Sequence, residues 1–597
     1  MATPAWTPDP PTVERANLTA TMRRLGFEEY ADLYQWSIRD RAGFWKDVIA
    51  QLGIEFERDP DAVLAGSAVD PLWLPGGRLN IVTSCLAGDV DRPAVVYRRE
   101  GELVRMTRGE LARGVRRFAS GFERAGFRPG DRVGIAMTMN IEAVVAYLGT
   151  VLAGGVVVSI ADSFSPPEIE TRLRLTDPVA VVTQGRIERA GKSLPMFTKV
   201  VAAGAQRCIV VGSDEMDLRD ADSSWEEFQG DPEVEAVIRD TAAHTNILFS
   251  SGTTGEPKAI PWSQITPLKA ATDGRFHQDV HVDDVVAWPT NLGWMMGPWL
   301  IYAALLNGAA LALYDDAPTG RGFTEFVAEA GVTILGVVPA LVASWRASGA
   351  LDGIDWDDVR VLSSTGEASN PGDYRWLMER VGAPVIEYMG GTEIGGGYLT
   401  ATVLEPAVPS QFTTPTLGLD IRILDEKGAP TDNGELWIVP PSIGLSTELV
   451  NRDHGAAYYE DAPVVDVPLR RHGDQIQRLD SGNFRALGRV DDTMNLGGIK
   501  VSSAELERAV SGQDGIAEVA AVAVAPSGGG ADRLVVFVVP EPEVVLDEAR
   551  LRDEMQAAIR SELNPLFKVH DVVIVESLPR TASHKVMRRE LRAGYSP

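Results

Sequence analysis

The sequence predicts an α/β fold: a large N-terminal domain of doubly wound sheets with a small β-module, followed by a small α+β C-terminal domain. Three features of the 597 residues predict it. From about residue 80 to 395, short Val/Ile/Ala-rich runs (RPAVVYR, DRVGIAM, GGVVVSI, PVAVVTQ, RCIVVG, DVVAWPT, ALALYDD, VTILGVV) alternate with amphipathic segments. Such runs, each followed by a helical pattern, read as buried parallel strands with crossover helices, in at least two layers. Between 413 and 490 the texture changes to strands punctuated by Gly, Pro and Asp (LGLDIRILDEKG, GELWIVP, GNFRALG), the mark of a small antiparallel module. After residue 491 come a helix (SSAELERAV), two strands (EVAAVAVA, RLVVFVVP), a charged helix ending near Ser561 and a basic end.

The predicted division is therefore 1–490 and 491–597, with residues 1–80 as a helical cap. Those first residues carry Tyr30, Tyr34, Trp36, Phe44, Trp45 and Trp73 without any catalytic spacing, so they are expected to pack on the body.

Composition narrows the partners. A formal charge of −28 repels polyphosphates at long range, which argues against nucleic acid as the main partner and requires any anionic ligand to find local donors. Only Cys85 and Cys208 are present, too few for a disulfide framework or a four-cysteine zinc site. No apolar run approaches the ~20 residues that span a bilayer, and the proline-rich start lacks a secretory layout, so no membrane insertion and a cytoplasmic location are expected.

The sharpest chemical signal is Ser250-Ser251-Gly252-Thr253-Thr254-Gly255-Glu256-Pro257-Lys258, directly after Ile247-Leu248-Phe249. Glycines free the backbone for a tight loop whose N–H groups converge on phosphate oxygens; the hydroxyls add donors and Lys258 adds charge. The Walker spacing does not fit, and Pro257 sits where a P-loop helix would start. The plainer reading of the stretch is a surface hairpin rich in turn formers.

This loop resembles the phosphate-binding signature of the adenylate-forming (AMP-binding) superfamily, and the likeness continues to the C-terminus. The N-terminal cap makes the acetyl-/acetoacetyl-CoA synthetase and plant-type acyl-activating enzyme branch the most similar. The resemblance implies an AMP-forming acid–thiol ligase that uses ATP, Mg²⁺ and coenzyme A on a small-molecule carboxylic acid. It implies a mobile C-terminal domain as well. A carrier protein as acyl acceptor, and a non-catalytic nucleotide or acyl-ligand sensor, are the alternatives.

Carried over residue by residue, the resemblance assigns Gly366, Glu367, Ala368 and the aromatic Tyr388 to the adenine, Thr392 to the α-phosphate, and Glu393 to Mg²⁺. Asp474 and Arg489 match the residues that grip the ribose, Asp491 the hinge, and Gly497, Gly498 and Lys500 the coenzyme A channel. Arg560, in Arg-Ser-Glu-Leu-Asn-Pro, matches a contact to the nucleotide phosphates of coenzyme A. Lys585 matches the adenylation lysine, although His584 stands where the family usually has glycine. Read without the family, Glu393 is a solvated loop carboxylate and Asp491-Asp492 an acidic turn. A charge argument supports Lys585 from the residues alone: Arg560, Lys568, His570, Arg580, His584, Lys585, Arg588, Arg589 and Arg592 crowd the end of an acidic chain.

For the acyl group, Gly390 stands where acetate-specific relatives have a tryptophan, which implies room for an acid larger than acetate beside Gly391, Trp294 and Met295. Trp288, Met296 and Trp299 belong to the same stretch, for which ordinary core is the competing reading. His277 and His281 lack the glutamate of a His-Glu-x-x-His zinc site. Gly395-Gly396-Gly397 reads as close backbone packing beside Glu393.

Overall fold

The computed structural model describes residues 3–214, 216–250, 256–366, 369–425, 427–490, 493–496, 499–524, 533–563, 567–580 and 586–595. Two compact units result, Met1–Ile421 with Val439–Arg470, and Arg422–Ile438 with Arg471–Pro597.

The first unit is built on two sheets of seven strands each. One runs, in spatial order, Ser223–Ser224, Cys208–Val211, Ala180–Gln184, Arg132–Ala136, Val156–Ile160, His244–Ser250 and Lys258–Ser263. All neighbours are parallel except the last pair. The other runs Val385–Glu387, Val361–Ser364, Ile334–Val337, Val285–Ala287, Ala310–Leu313, Pro93–Arg99 and Glu102–Thr107, again parallel up to an antiparallel edge. Central strands such as Val156–Ile160 and Ile334–Val337 are buried along their whole length, which is why they read as continuous apolar runs. Helix starts follow local chemistry. Asn140 accepts the Ala143 N–H, and Thr107 with Glu110 forms a capping box.

The cap consists of helices Pro10–Arg15, Asn17–Leu25, Tyr30–Arg39 and Arg41–Gln51. Its aromatics pack edge to face, Phe44 on Trp45 at 5.1 Å and Trp45 on Trp73 at 6.2 Å. Tyr30 donates to the Pro415 carbonyl at 2.8 Å, and the Asn17 N–H to Asp279 at 2.8 Å, so the cap is tied to the body.

The second unit holds most of a four-stranded sheet, Asp420–Leu424, Asn433–Val439, Arg470–Arg478 and Phe484–Arg489. It continues with the hairpin strands Thr493–Leu496 and Ile499–Ser502, and a sheet of Ile516–Val524, Arg533–Pro540 and Val569–Ile574. Helices Ser503–Val510 and Glu548–Glu562 cover that last sheet through Leu506, Val510, Leu551, Met555 and Ile559. Among the described residues, no helix is long and apolar enough to cross a membrane. Cys85 and Cys208 are free and buried, and burial pushes both thiols up to about 12.

Candidate active site

Ser250 ends one strand and Lys258 begins its antiparallel neighbour, the two facing each other in register. Ser251, Gly252, Thr253, Thr254 and Gly255 lie outside the described residues. The Ser250 hydroxyl is buried with no hydrogen-bond partner among the described residues, a donor left over at the mouth of the loop. The exit of the loop is held from far along the chain. Asn451 donates to the Pro257 carbonyl (2.9 Å) and accepts from the Ala259 N–H (3.0 Å), while Arg452 donates to the Glu256 carbonyl (2.7 Å). No sequence signal marked Asn451 or Arg452, because nothing local ties residues 451 and 452 to residue 256.

Lys258 Nζ lies 3.4 Å from Glu393 Oε1 and 4.7 Å from the centroid of the Tyr458 ring. Arg470, almost wholly buried, stacks on that ring at 4.2 Å and donates to Ser446. Glu393 is therefore a buried carboxylate in a basic, aromatic corner, not the solvated loop residue that its surroundings in the sequence imply. Thr392 and Glu393 sit in a short 3₁₀ turn, Thr392–Ile394, pinned through backbone: Trp262 Nε1 donates to the Thr392 carbonyl (2.9 Å), and the Ser446 N–H to the Glu393 carbonyl (2.8 Å).

At the adenine station, Gly366 is exposed with φ of +100°, a conformation that favours glycine. Glu367 and Ala368 lie outside the described residues. The expected role of Tyr388 is corrected. Its side chain is 1% exposed, its hydroxyl donates to Asp273 Oδ2 at 2.6 Å and accepts from Trp299 Nε1 at 3.1 Å, and no ring face is left for a base. Side chains alternate along an extended segment, so the neighbour Met389, half-buried, takes the outward direction. The preceding residue, Glu387, is a buried acid that accepts from Ser369 Oγ at 2.6 Å, and burial pushes its carboxyl up to about 7.

The reading of Gly390 is corrected as well. Gly390 and Gly391 pair with Gly397 and Gly396 on the antiparallel strand Gly396–Thr400. A Cβ at Gly390 would lie 2.1 Å from the Gly396 carbonyl oxygen and 2.8 Å from Gly397 Cα. Backbone, not open space, occupies that direction, and the strand approach itself requires the glycine. The close packing expected of Gly395-Gly396-Gly397 is present: a Cβ at Gly397 would fall 2.4 Å from the Tyr388 ring. Of the aromatic and thioether stretch, Trp294 and Met295 are half-exposed, with Trp294 edge-on to Phe164 at 5.4 Å, whereas Trp288, Met296 and Trp299 are core.

In the second unit, Asp474 and Arg489 are directly paired across strands Arg470–Arg478 and Phe484–Arg489. His472 Nε2 stands 3.3 Å from the other Asp474 oxygen, a neighbour that the sequence reading passed over. Lys500 lies on Ile499–Ser502 opposite Asn495, and Arg560 is exposed in the last turn of Glu548–Glu562. Asp491, Gly497, Gly498 and Lys585 lie outside the described residues, as does His584. The basic end is less free than its count implies. Arg580 pairs with Glu518 at 2.5 Å and Arg588 with Glu507 at 2.8 Å, so part of its positive charge is neutralised locally.

His277 and His281 do not form a metal site. His277 is fully buried, its Nε2 accepting from the Leu417 N–H (3.3 Å) and its pKa pushed well down by burial, while His281 faces Asp279 at 3.0 Å. Among the described residues, no group of three or more His, Cys, Asp or Glu is placed to hold a metal ion.

A parallel-sheet body in which Lys258, at the exit of the Ser/Thr/Gly-rich stretch, meets the buried Glu393, and a second unit that pairs Asp474 with Arg489, are the arrangement expected of an adenylate-forming enzyme. The comparisons agree. Residues 83–445 match the model of the AMP-binding enzyme family, 505–585 that of the AMP-binding enzyme C-terminal domain, and 30–85 that of the acetyl-coenzyme A synthetase N-terminus. The chain is 43% identical to hexanoyl-CoA synthase of Cannabis sativa, covering 100% of this chain and 89% of that one. It is likewise 43% identical to probable acyl-activating enzyme 17, peroxisomal, of Arabidopsis thaliana, over 99% and 88%. The solved acetoacetyl-CoA synthetase of Streptomyces lividans superposes with a TM-score of 0.91 at 27% identity, covering 99% and 96%.

This chain belongs to the AMP-binding enzyme family. It is an AMP-forming acyl-CoA synthetase, which ligates a carboxylic acid to coenzyme A at the expense of ATP by way of an acyl adenylate.

Proposed function

We propose that the acid is larger than acetate, of medium chain length, and that the residues carried over from the resemblance perform the reaction. What supports the size argument is that Gly390 and Gly391 add no side chain to their strand, while Trp294 and Met295, before helix Met296–Leu305, are only partly buried. The name of the Cannabis relative, hexanoyl-CoA synthase, fits a chain of that length. Met389, not Tyr388, offers the apolar contact for the adenine.

In the first step a carboxylate oxygen of the acid attacks the α-phosphorus of ATP, the bond to the bridging oxygen breaks, and pyrophosphate leaves with its electron pair. Lys585 neutralises the charge that gathers on the five-coordinate phosphorus, and the Thr392 hydroxyl donates to the α-phosphate. Glu393 would hold Mg²⁺, which supplies charge neutralisation on the phosphates. One carboxylate plus substrate oxygens is the usual protein share of such a site, and the Ser250 hydroxyl, without a partner among the described residues, fits a bound phosphate. In the second step the coenzyme A thiol attacks the acyl carbon, AMP leaves, and the thiol proton passes to solvent. The C-terminal domain turns about Asp491 between the steps, bringing Gly497, Gly498 and Lys500 to the thiol channel, with Arg560 on the coenzyme A nucleotide. The cytoplasmic setting is part of this proposal and is tested by fractionation against a peroxisomal marker, the compartment in the name of the Arabidopsis relative.

The test is a panel of acids from acetate upward, assayed for AMP release with and without coenzyme A. Acyl-CoA formation with a medium-chain acid best by kcat/KM is expected. Acetate as the best substrate would overturn the size argument. Adenylation without acyl-CoA would move the acceptor to a carrier protein, and no AMP release at all would leave a sensor. Lys585→Ala is expected to abolish adenylation while sparing thioester formation from supplied acyl-AMP; equal loss of both would refute the division of labour.

A further inference from the structure

Helix Pro267–Phe276 is buried along nearly its whole length and yet carries a lysine and an aspartate one turn apart, Lys269 and Asp273, both with 0% exposure. Burying an ion pair gains little stability over apolar residues of the same volume, so what the pair does is read from its partners. Every polar contact of the pair is directed. Lys269 Nζ donates to Asp273 Oδ1 at 2.5 Å and to Thr416 Oγ1 at 3.1 Å. Asp273 Oδ2 accepts from the Tyr388 hydroxyl (2.6 Å) and from the Gly397 N–H (2.8 Å), while Thr416 Oγ1 donates to the Gly397 carbonyl (2.8 Å). Both backbone groups of Gly397 are thus held by one network.

Gly397 is the register partner of Gly390. A glycine pair has no side chains of its own to fix its position, and its backbone is the most permissive in the chain. At its other end the network passes through the Tyr388 hydroxyl to Trp299, on helix Met296–Leu305, whose N-terminal approach is Trp294 and Met295. One buried chain of hydrogen bonds therefore joins the glycine strand to the Trp–Met helix.

We propose that Lys269, Asp273 and Tyr388 are positioning residues that fix the separation of these two walls and thereby set which acyl chain length is accepted. This rests on the reading that Gly390–Gly391 and Trp294–Met295 face the acyl group. Deleting one link leaves a buried donor or acceptor without its partner and frees the wall to relax.

The experiment measures kcat/KM for a ladder of straight-chain acids on the full-length enzyme and on Tyr388→Phe, with Trp299→Phe as a second cut in the same chain. The ratio between the best acid and its neighbours two methylenes shorter or longer is expected to change by about tenfold, the scale on which apolar pockets discriminate. Trp299→Phe, the cut remote from Met389, is expected to leave KM for ATP within about twofold. A uniform fall for all acids, or an unchanged profile, would reduce the network to plain scaffold and overturn the proposal. Trp294→Ala separates the two claims. If it reshapes the acid profile while both network variants do not, the pocket reading stands and the positioning role falls; if it leaves the profile untouched, the pocket reading falls and takes this proposal with it.

Discussion

Asp474 and Arg489 face each other across two antiparallel strands, guanidinium to carboxylate at 3.3 Å, and the same arginine nitrogen also donates to the His472 carbonyl at 2.6 Å. Between them Gly473 adopts a φ of +87°, and a Cβ there would lie 2.7 Å from Arg489 Nη2. Asp474→Ala removes the acceptor of the half-exposed Arg489 and the partner of the buried His472 ring. The expected result is a KM for ATP raised roughly tenfold to a hundredfold, with kcat for saturated enzyme changed less. Pyrophosphate release against ATP concentration measures it, and an unchanged KM would remove Asp474 from the ribose site.

The Lys258–Glu393 pair gives a second prediction. Glu393→Gln keeps the shape and the backbone bonds of the 3₁₀ turn but removes the charge proposed to hold Mg²⁺. The first half-reaction should slow by about 10²–10³, the scale of losing one electrostatic stabiliser of a phosphoryl or acyl transition state. The Mg²⁺ concentration giving half-maximal rate should rise with it. A slower enzyme whose Mg²⁺ dependence is unmoved would mean that Glu393 acts only on Lys258.

Glu387 predicts a pH effect on stability. Its folded carboxyl stands at about 7, raised by burial, against 4.5 for the ordinary group. Between those values the unfolded chain has lost the proton that the folded chain keeps, so stability falls as pH rises from about 4.5 to 7 and is level above. The swing is on the order of 3 kcal/mol. Glu387→Gln should flatten that part of the Tm-versus-pH curve while keeping an acceptor for Ser369. Parallel curves for the two proteins would show that Glu387 is ionised throughout.

Gly390 and Met295 are expected to respond in opposite ways to enlargement. Gly390→Ala drives a methyl into the Gly396 carbonyl and should destabilise by about 1–3 kcal/mol, seen as a lower Tm. Met295→Trp, at a partly buried position on the edge of the core, should shift preference toward shorter acids by roughly tenfold per methylene lost. Gly390→Ala with an unchanged Tm, or Met295→Trp with an unchanged acid profile, would each contradict the wall assigned to it.

The parallel strands were legible because each is buried on both faces, so a plain apolar run sufficed. Glu393, Asp474 and Arg489 were singled out only through the resemblance, because their short motifs have no chemistry that stands out without it, and the structure adds the partners that they have in space. What escaped was whatever depends on side-chain direction or on distant partners. Tyr388 reads as a platform for a ring ligand, but its neighbour points outward instead, and the deciding groups, Asp273 and Trp299, lie about ninety residues or more upstream. Asn451, Tyr458 and Arg470 gather around Pro257, Lys258 and Glu393 without any motif, since a hydrogen-bond clamp or a stacked cation needs only the right place in space. At Gly390 a missing side chain reads as a vacancy, whereas here it is a tight fit.

That tight fit has a consequence for how such an enzyme diversifies. Where Gly390 and Gly391 abut Gly397 and Gly396, an added side chain at Gly390 or Gly397 meets backbone or the Tyr388 ring, so the strand is closed to stepwise enlargement. On the proposed reading of the acyl site, drift toward a new acid then enters through Trp294 and Met295 or through the polar tether to Trp299.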